Sequence, residues 1–174
     1  MEDRRDIIIS IHPKYVANIV SREKNHEFRN YLLPASVKRL WIYETSPLSS
    51  IRYIATISQG KRPGEIRNHD GLGNDEFDRG DLEGSGKYAY EILKLEQLPE
   101  SYSLGDLKKK GWLKGAPQKY CFLKPAMREA ACTLPLQLVF GPDDQTFDLS
   151  KDVNSDGEEE PANEQQSVDK SPKD

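Results

Sequence analysis

The run Ile7-Ile8-Ile9-Ser10-Ile11, followed at once by His12-Pro13, constrains this chain more than any other feature. Isoleucine is stiff at χ1 and favours extended backbone, so four of them in five residues read as a buried strand. Pro13 fits the first position of a helix, where its missing N–H leaves no bond unmade. Val16, Ile19 and Val20 recur at helical spacing, which predicts a short helix over 13–21 with that face inward. The chain therefore opens as a strand running directly into a helix.

Further strands follow. Residues 22–27 are wholly polar, and Pro34 stops the segment Phe28–Leu33. Residues 37–43 read as a second strand, with a turn at Thr45-Ser46-Pro47. Ile51, Tyr53, Ala55 and Ile57 alternate as a third. Residues 87–98 and 119–123 supply two more. Residues 103–110 form a short helix, its three lysines at the negative end and Gly111 as terminator. Residues 60–86 differ: seven of these 27 are glycine, many others are acidic, and no period is sustained. A loop of that length is either functional or disordered. Residues 125–131 suit a helical turn or two, and the apolar segment 134–140 is broken by Pro135. The expected fold is α+β: a small β-barrel of five or six strands with two or three short helices. It is expected to occupy residues 1–132, with 60–86 as a Gly-rich acidic loop insertion. Residues 133–174 are expected to be a mostly disordered acidic tail.

Charge supports that division. Residues 150–174 hold eight acids and three lysines, net −5, in a chain whose overall charge is −4. Residues 1–64 carry 11 basic and six acidic groups (+5), and residues 65–100 carry four and ten (−6). A cleft built from the N-terminal part can thus be positive and attract phosphate despite the acidic average, or the charges can simply solvate a mixed surface. No run of about 18 apolar residues is present, so no spanning helix is expected. The charged opening residues are unlike a secretory signal, which predicts a cytoplasmic or nuclear protein, not a secreted one. Cys121 and Cys132 show no paired spacing, and neither a metal site nor a cofactor is expected.

Four segments, taken in order, resemble the ASCH domain, a branch of the PUA-like superfamily. They are Ser10-Ile11-His12-Pro13-Lys14-Tyr15, Glu23-Lys24-Asn25-His26-Glu27-Phe28-Arg29, Trp41-Ile42-Tyr43-Glu44-Thr45-Ser46-Pro47 and Ala116-Pro117-Gln118-Lys119-Tyr120. The second is similar to the family's G-x-K-x-x-E-x-R signature, and the fourth to the P-P-Q-x-[FY] that leads into its last strand. The resemblance implies a PUA-like barrel with a cleft beside the first helix. It also implies binding of RNA or a modified nucleotide. A few small members are enzymes, one an amidohydrolase on N4-acetylcytidine and others linked to ribonuclease activity. Two departures stand out. Arg22 occupies the signature's glycine position, where a left-handed residue would cost about 1 kcal/mol. Glu27 stands where the amidohydrolase-like members have threonine.

The candidate ligand-binding residues are Lys24, Glu27, Arg29, Tyr43, Thr45, Ser46 and Gln118. If 25–29 is extended, Asn25, Glu27 and Arg29 share a face. Arg29 can clamp phosphate with two N–H groups, with Lys24 as a second cation. Glu27 can accept from a base amino group or pair with Lys24. The bland alternative is a salt bridge at the barrel rim. Thr45 and Ser46 offer hydroxyls at a strand end or simply make the turn. Tyr43 either stacks on a base or belongs to the core, and Trp112 either caps the barrel or forms a stacking platform. Catalysis would fall to Lys24, Glu27 and Thr45, with Lys24 needing a lowered pKa to act as a base. Three functions follow: a module binding RNA, DNA or a single nucleotide; a small hydrolase on a modified nucleoside or RNA; or a protein scaffold docking a partner through its tail.

Overall fold

A computed structural model describes residues 3–142, apart from 83 and 85. The elements run β1 (Asp6–Ile11), α1 (Pro13–Val20), β2 (His26–Arg29), β3 (Arg39–Glu44), β4 (Ser50–Ile57), α2 (Asn74–Asp78), β5 (Tyr88–Ser103), α3 (Leu104–Lys109), β6 (Tyr120–Phe122), α4 (Pro125–Ala131) and β7 (Gln137–Phe140). Six strands form a curled sheet in the order β2-β5-β4-β3-β1-β6, and β7 adds to β5. The α+β half-barrel agrees with the sequence reading. Among the described residues it has seven strands and four short helices, because β2 and β7 are four-residue strands too short for a pattern to announce.

β1 lies parallel to β3 and antiparallel to β6. Both of its faces are covered, which explains why the isoleucine run shows no polar alternation. Ile7, Ile9 and Ile11 join Val16 and Ile19 of α1 in one core. Ile8 points the other way, among Trp41, Leu107, Trp112 and Met127 under α3 and α4. Trp112 is thus a cap over that second core, and Tyr102 meets it edge to face at 5.6 Å.

Two expectations are corrected here. The segment 134–140 does not belong to a tail. Leu95 pairs with Phe140 across β5 and β7, Phe140 reaches the first core, and Leu134 and Leu136 pack on the second. Pro135 lies before the strand and so does not interrupt it. The described part of the 60–86 loop is also built rather than irregular. Asp78 at the end of α2 accepts backbone N–H bonds from Gly64, Ile66 and Arg67 at 2.8–3.2 Å. Phe77 is fully buried and stacks on Phe28 of β2 at 5.3 Å. The acidic tail beyond residue 142 lies outside the described residues.

Candidate functional site

The site begins with the way α1 ends. His12 caps its start, Nδ1 accepting the Lys14 N–H at 3.1 Å. Past Ser21 the chain reverses through Arg22, whose φ of +67° is left-handed. The signature's glycine position therefore keeps its glycine-like backbone, with the guanidinium 4.7 Å from the centroid of Phe140. A contact of that kind offsets part of the strain. The turn returns the Lys24 N–H to Asn18 O at 3.0 Å and sends the Lys24 side chain inward.

β2 then places Glu27 and Arg29 on one face, where they meet Lys24 in a cavity of about 600 Å³ between α1, the end of β1 and the 60–86 loop. Glu27 Oε1 forms an ion pair with Arg29 Nη2 at 2.9 Å, and Glu27 Oε2 lies 3.7 Å from Lys24 Nζ. Arg29 Nη2 also donates to Ser10 O at 2.8 Å, which ties the cluster to β1. Lys24 is 6% exposed and Glu27 7%. The ammonium sits 4.3 Å from the Phe28 ring centroid and 5.7 Å from that of Tyr15. Burial pushes Lys24 below the usual lysine value; the Glu27 carboxylate opposes this and the Arg29 cation adds to it.

The cluster is not self-contained. Glu27 Oε2 and Arg29 Nε are both buried and have no hydrogen-bond partner. The cluster thus holds an acceptor and a donor with unused hydrogen-bonding capacity, and buried polar groups of that kind ordinarily find partners. Among the lining residues Lys24, Arg29 and Lys14 set three cations against the single carboxylate of Glu27. At the mouth, Tyr15 on α1 and Leu72 on the loop are half-exposed apolar groups lining the same cavity. The floor is charged and the lips are apolar, which suits a planar ring carrying a phosphate.

The loop wall is fixed from behind. Asn74, fully buried, donates Nδ2–H to Asn25 Oδ1 at 2.9 Å and to Asn68 O at 3.1 Å. Asn25, expected beside Glu27 and Arg29, is committed to this bond and to His26 Nδ1 at 2.7 Å. Lys61 Nζ lies 3.1 Å from His26 Nε2, which makes Nε2 the acceptor and Nδ1 the donor. Burial and the Lys61 ammonium lower His26 to about 4, so the ring stays neutral. Gly73, at φ +80°, lines the cavity, and a Cβ there would stand 2.9 Å from Phe28 Cε2. The histidine, asparagine and glycine residues of this brace were not legible beforehand, because partners about fifty residues apart leave no spacing signal.

Four predicted residues lie elsewhere. Tyr43 is 1% exposed in the second core, so it cannot stack on a ligand. β3 turns Leu40 and Ile42 toward one core and Trp41 and Tyr43 toward the other. Thr45 gives its backbone N–H to Ile11 O at 3.2 Å but is not part of the cavity lining, which removes it as a nucleophile there. Ser46 is exposed on the turn that follows. Gln118 is exposed on the segment leading to β6, likewise outside the lining. Among the described residues no group of three or more His, Cys, Asp or Glu side chains can hold a metal, and no helix is long and apolar enough to cross a membrane.

No family model matches the chain. A curated relative, the ASCH domain-containing ribonuclease of Zymomonas mobilis subsp. mobilis, is 42% identical over 62 residues. The match covers 33% of this chain and 42% of the relative, less than half of the relative's length. The crystal structure of ASCH from Zymomonas mobilis superposes with a TM-score of 0.57 at 24% identity, covering 76% of this chain and 98% of that one. A serine-to-alanine mutant of the same protein gives 0.59 at 24% identity, over 78% and 100%.

Proposed function

This chain has the fold of an ASCH domain, and from that premise we propose that it binds RNA, one nucleotide of which enters the cleft of Lys24, Glu27 and Arg29. The observation that carries this reading is that Glu27 Oε2 and Arg29 Nε are both buried without a hydrogen-bond partner beside a net-positive cavity. A base edge with an amino donor beside an acceptor satisfies both atoms, and Lys24 and Lys14 meet the phosphate. Tyr15 and Leu72 sandwich the ring. The ribonuclease name of the Zymomonas relative supports RNA as the polymer.

The test is a titration of the full chain with the four nucleoside 5′-monophosphates and a mixed-sequence RNA hexamer. The expected result is binding that weakens with salt and falls about tenfold or more in Arg29→Gln, a variant that keeps the side chain polar. Absence of binding to every probe, or affinity untouched by Arg29→Gln, overturns the reading.

Hydrolysis is a second reading, favoured by the lowered pKa of Lys24. RNA brings its own nucleophile. In such a reaction the deprotonated form of Lys24 takes the proton of a ribose 2′-OH, the 2′-oxygen bonds to phosphorus, and the 5′-oxygen leaves with a proton from water. Arg29 stabilises the extra charge on phosphorus. Strands ending in 2′,3′-cyclic phosphate, produced by the wild type and lost in Lys24→Gln, would establish it; intact RNA after prolonged incubation excludes it.

A further inference from the structure

Beyond the cleft, a second concentration of nucleic-acid chemistry runs along the sheet margin. β6 is the terminal strand, with β1 as its neighbour. Tyr120 and Phe122 share one face of it, their rings edge to face at 6.0 Å. Tyr31, just past β2, rests against Tyr120 at 5.6 Å. All three rings touch the first core on one side and are half-buried. Lys119 Nζ stands 4.5 Å from the Tyr31 centroid and 5.7 Å from that of Tyr120. Residues 114–124 contain three lysines and no acidic residue. A second cavity, about 360 Å³, lies against Tyr120 and Phe122 and is lined by Lys114 and Lys124.

This stripe is continuous with the cleft. Tyr31 is two residues beyond Arg29, whose charge acts on the Tyr31 hydroxyl. Ser10, on the cleft lining, donates its hydroxyl to Pro117 O at 2.6 Å, which fixes the segment leading to Lys119. We infer that single-stranded RNA passes from the cleft along Tyr31, Tyr120 and Phe122, its bases displacing Lys119 from the two tyrosines and Arg4 from Phe122, and its phosphates then meeting these cations and Lys124. The inference rests on the RNA reading of the cleft. Stacking needs bare base faces, which a duplex hides, and aromatic rings under cations are the combination that tracks single strands without regard to sequence. A peptide strand added to β6 would gain a ladder of only three residues.

The experiment compares one nucleoside 5′-monophosphate with a mixed-sequence RNA hexamer on the full chain and on two variants. Lys119→Glu reverses an exposed charge, and Tyr120→Leu keeps apolar bulk while removing the ring. The hexamer is expected to bind the wild type about tenfold or more tighter than the mononucleotide. Each variant lowers hexamer affinity about tenfold and leaves mononucleotide affinity within about twofold. Hexamer binding unchanged in Lys119→Glu overturns the stripe while the cleft stands. Failure of both probes on the wild type removes the cleft reading and the stripe together. A polyglutamate peptide that binds as tightly as the hexamer, with both ligands indifferent to Tyr120→Leu, overturns stacking and leaves a plain anion surface. Should Tyr120→Leu fail to fold, Lys119→Glu still decides.

Discussion

Asn74 donates its side-chain N–H to Asn25 Oδ1 at 2.9 Å, so the middle of the 60–86 loop is bolted to the residue that precedes β2. The rest of that wall is held by the Leu72 N–H bond to Glu23 O and by the packing of Ile66, Phe77 and Leu82 with Phe28 and Ala89. Asn74→Ala removes two buried hydrogen bonds and is expected to cost about 2–3 kcal/mol. Amide exchange should quicken over residues 66–78 and stay slow in β1 and β3. Unchanged exchange in the loop would mean that the remaining contacts hold it without this bond.

Glu27 stands between two cations, and its removal leaves the buried Lys24 and the partly buried Arg29 unbalanced. Glu27→Ala is therefore expected to destabilise by about 3 kcal/mol, while Glu27→Gln, which retains the acceptor for Arg29, costs roughly half of that. Chemical denaturation of the two variants checks this. Equal losses would show that the carboxylate's charge contributes little to holding the cluster.

His26 makes stability depend on pH. Its folded value, about 4, lies below the ordinary 6.5. Between these values the unfolded chain binds a proton that the folded protein does not. The contribution is therefore complete above pH 6.5 and is lost as pH falls toward 4. The expected loss is about 2 kcal/mol, allowing for solvent screening. Melting curves from pH 7 to 4 should fall more steeply for the wild type than for His26→Gln, which has no proton to gain. Parallel curves would assign the acid sensitivity to other groups.

Arg22 separates backbone strain from side-chain contact. Arg22→Ala loses the Phe140 contact and keeps the left-handed φ, whereas Arg22→Gly loses the contact and relieves the strain. The glycine variant is expected to exceed the alanine variant by about 1 kcal/mol. Two variants of equal stability would show that the turn relaxes when the arginine is removed.

The sequence revealed the elements whose pattern is set locally. Ile7–Ile11, the Pro13 helix and the alternation at 51–57 owe their conformation to neighbours within a few residues. It was less informative where partners are distant. Residues 22–27 are all polar, yet Lys24, His26 and Glu27 are buried, because each is neutralised or hydrogen-bonded by groups that only the fold brings near. Of the two roles open to Tyr43 the sequence could not choose core, for a related reason. Alternation sorts the faces of a strand when one side is wet, but β3 carries a core on each side. Phe140 gave no strand signal because β7 exists only as an addition to β5.

The pairing of β2 with β5 sets an order of events during synthesis. Glu27 lies opposite Tyr90, 63 residues further on, and β5 must leave the ribosome before β2 has a neighbour to align with. Contacts of such separation form late and slowly. Until then Lys24, Glu27 and Arg29 belong to a solvated, flexible stretch of nascent chain. The cleft is thus acquired only when more than half of the protein has been made, and the isoleucine strand gains its second neighbour, β6, later still.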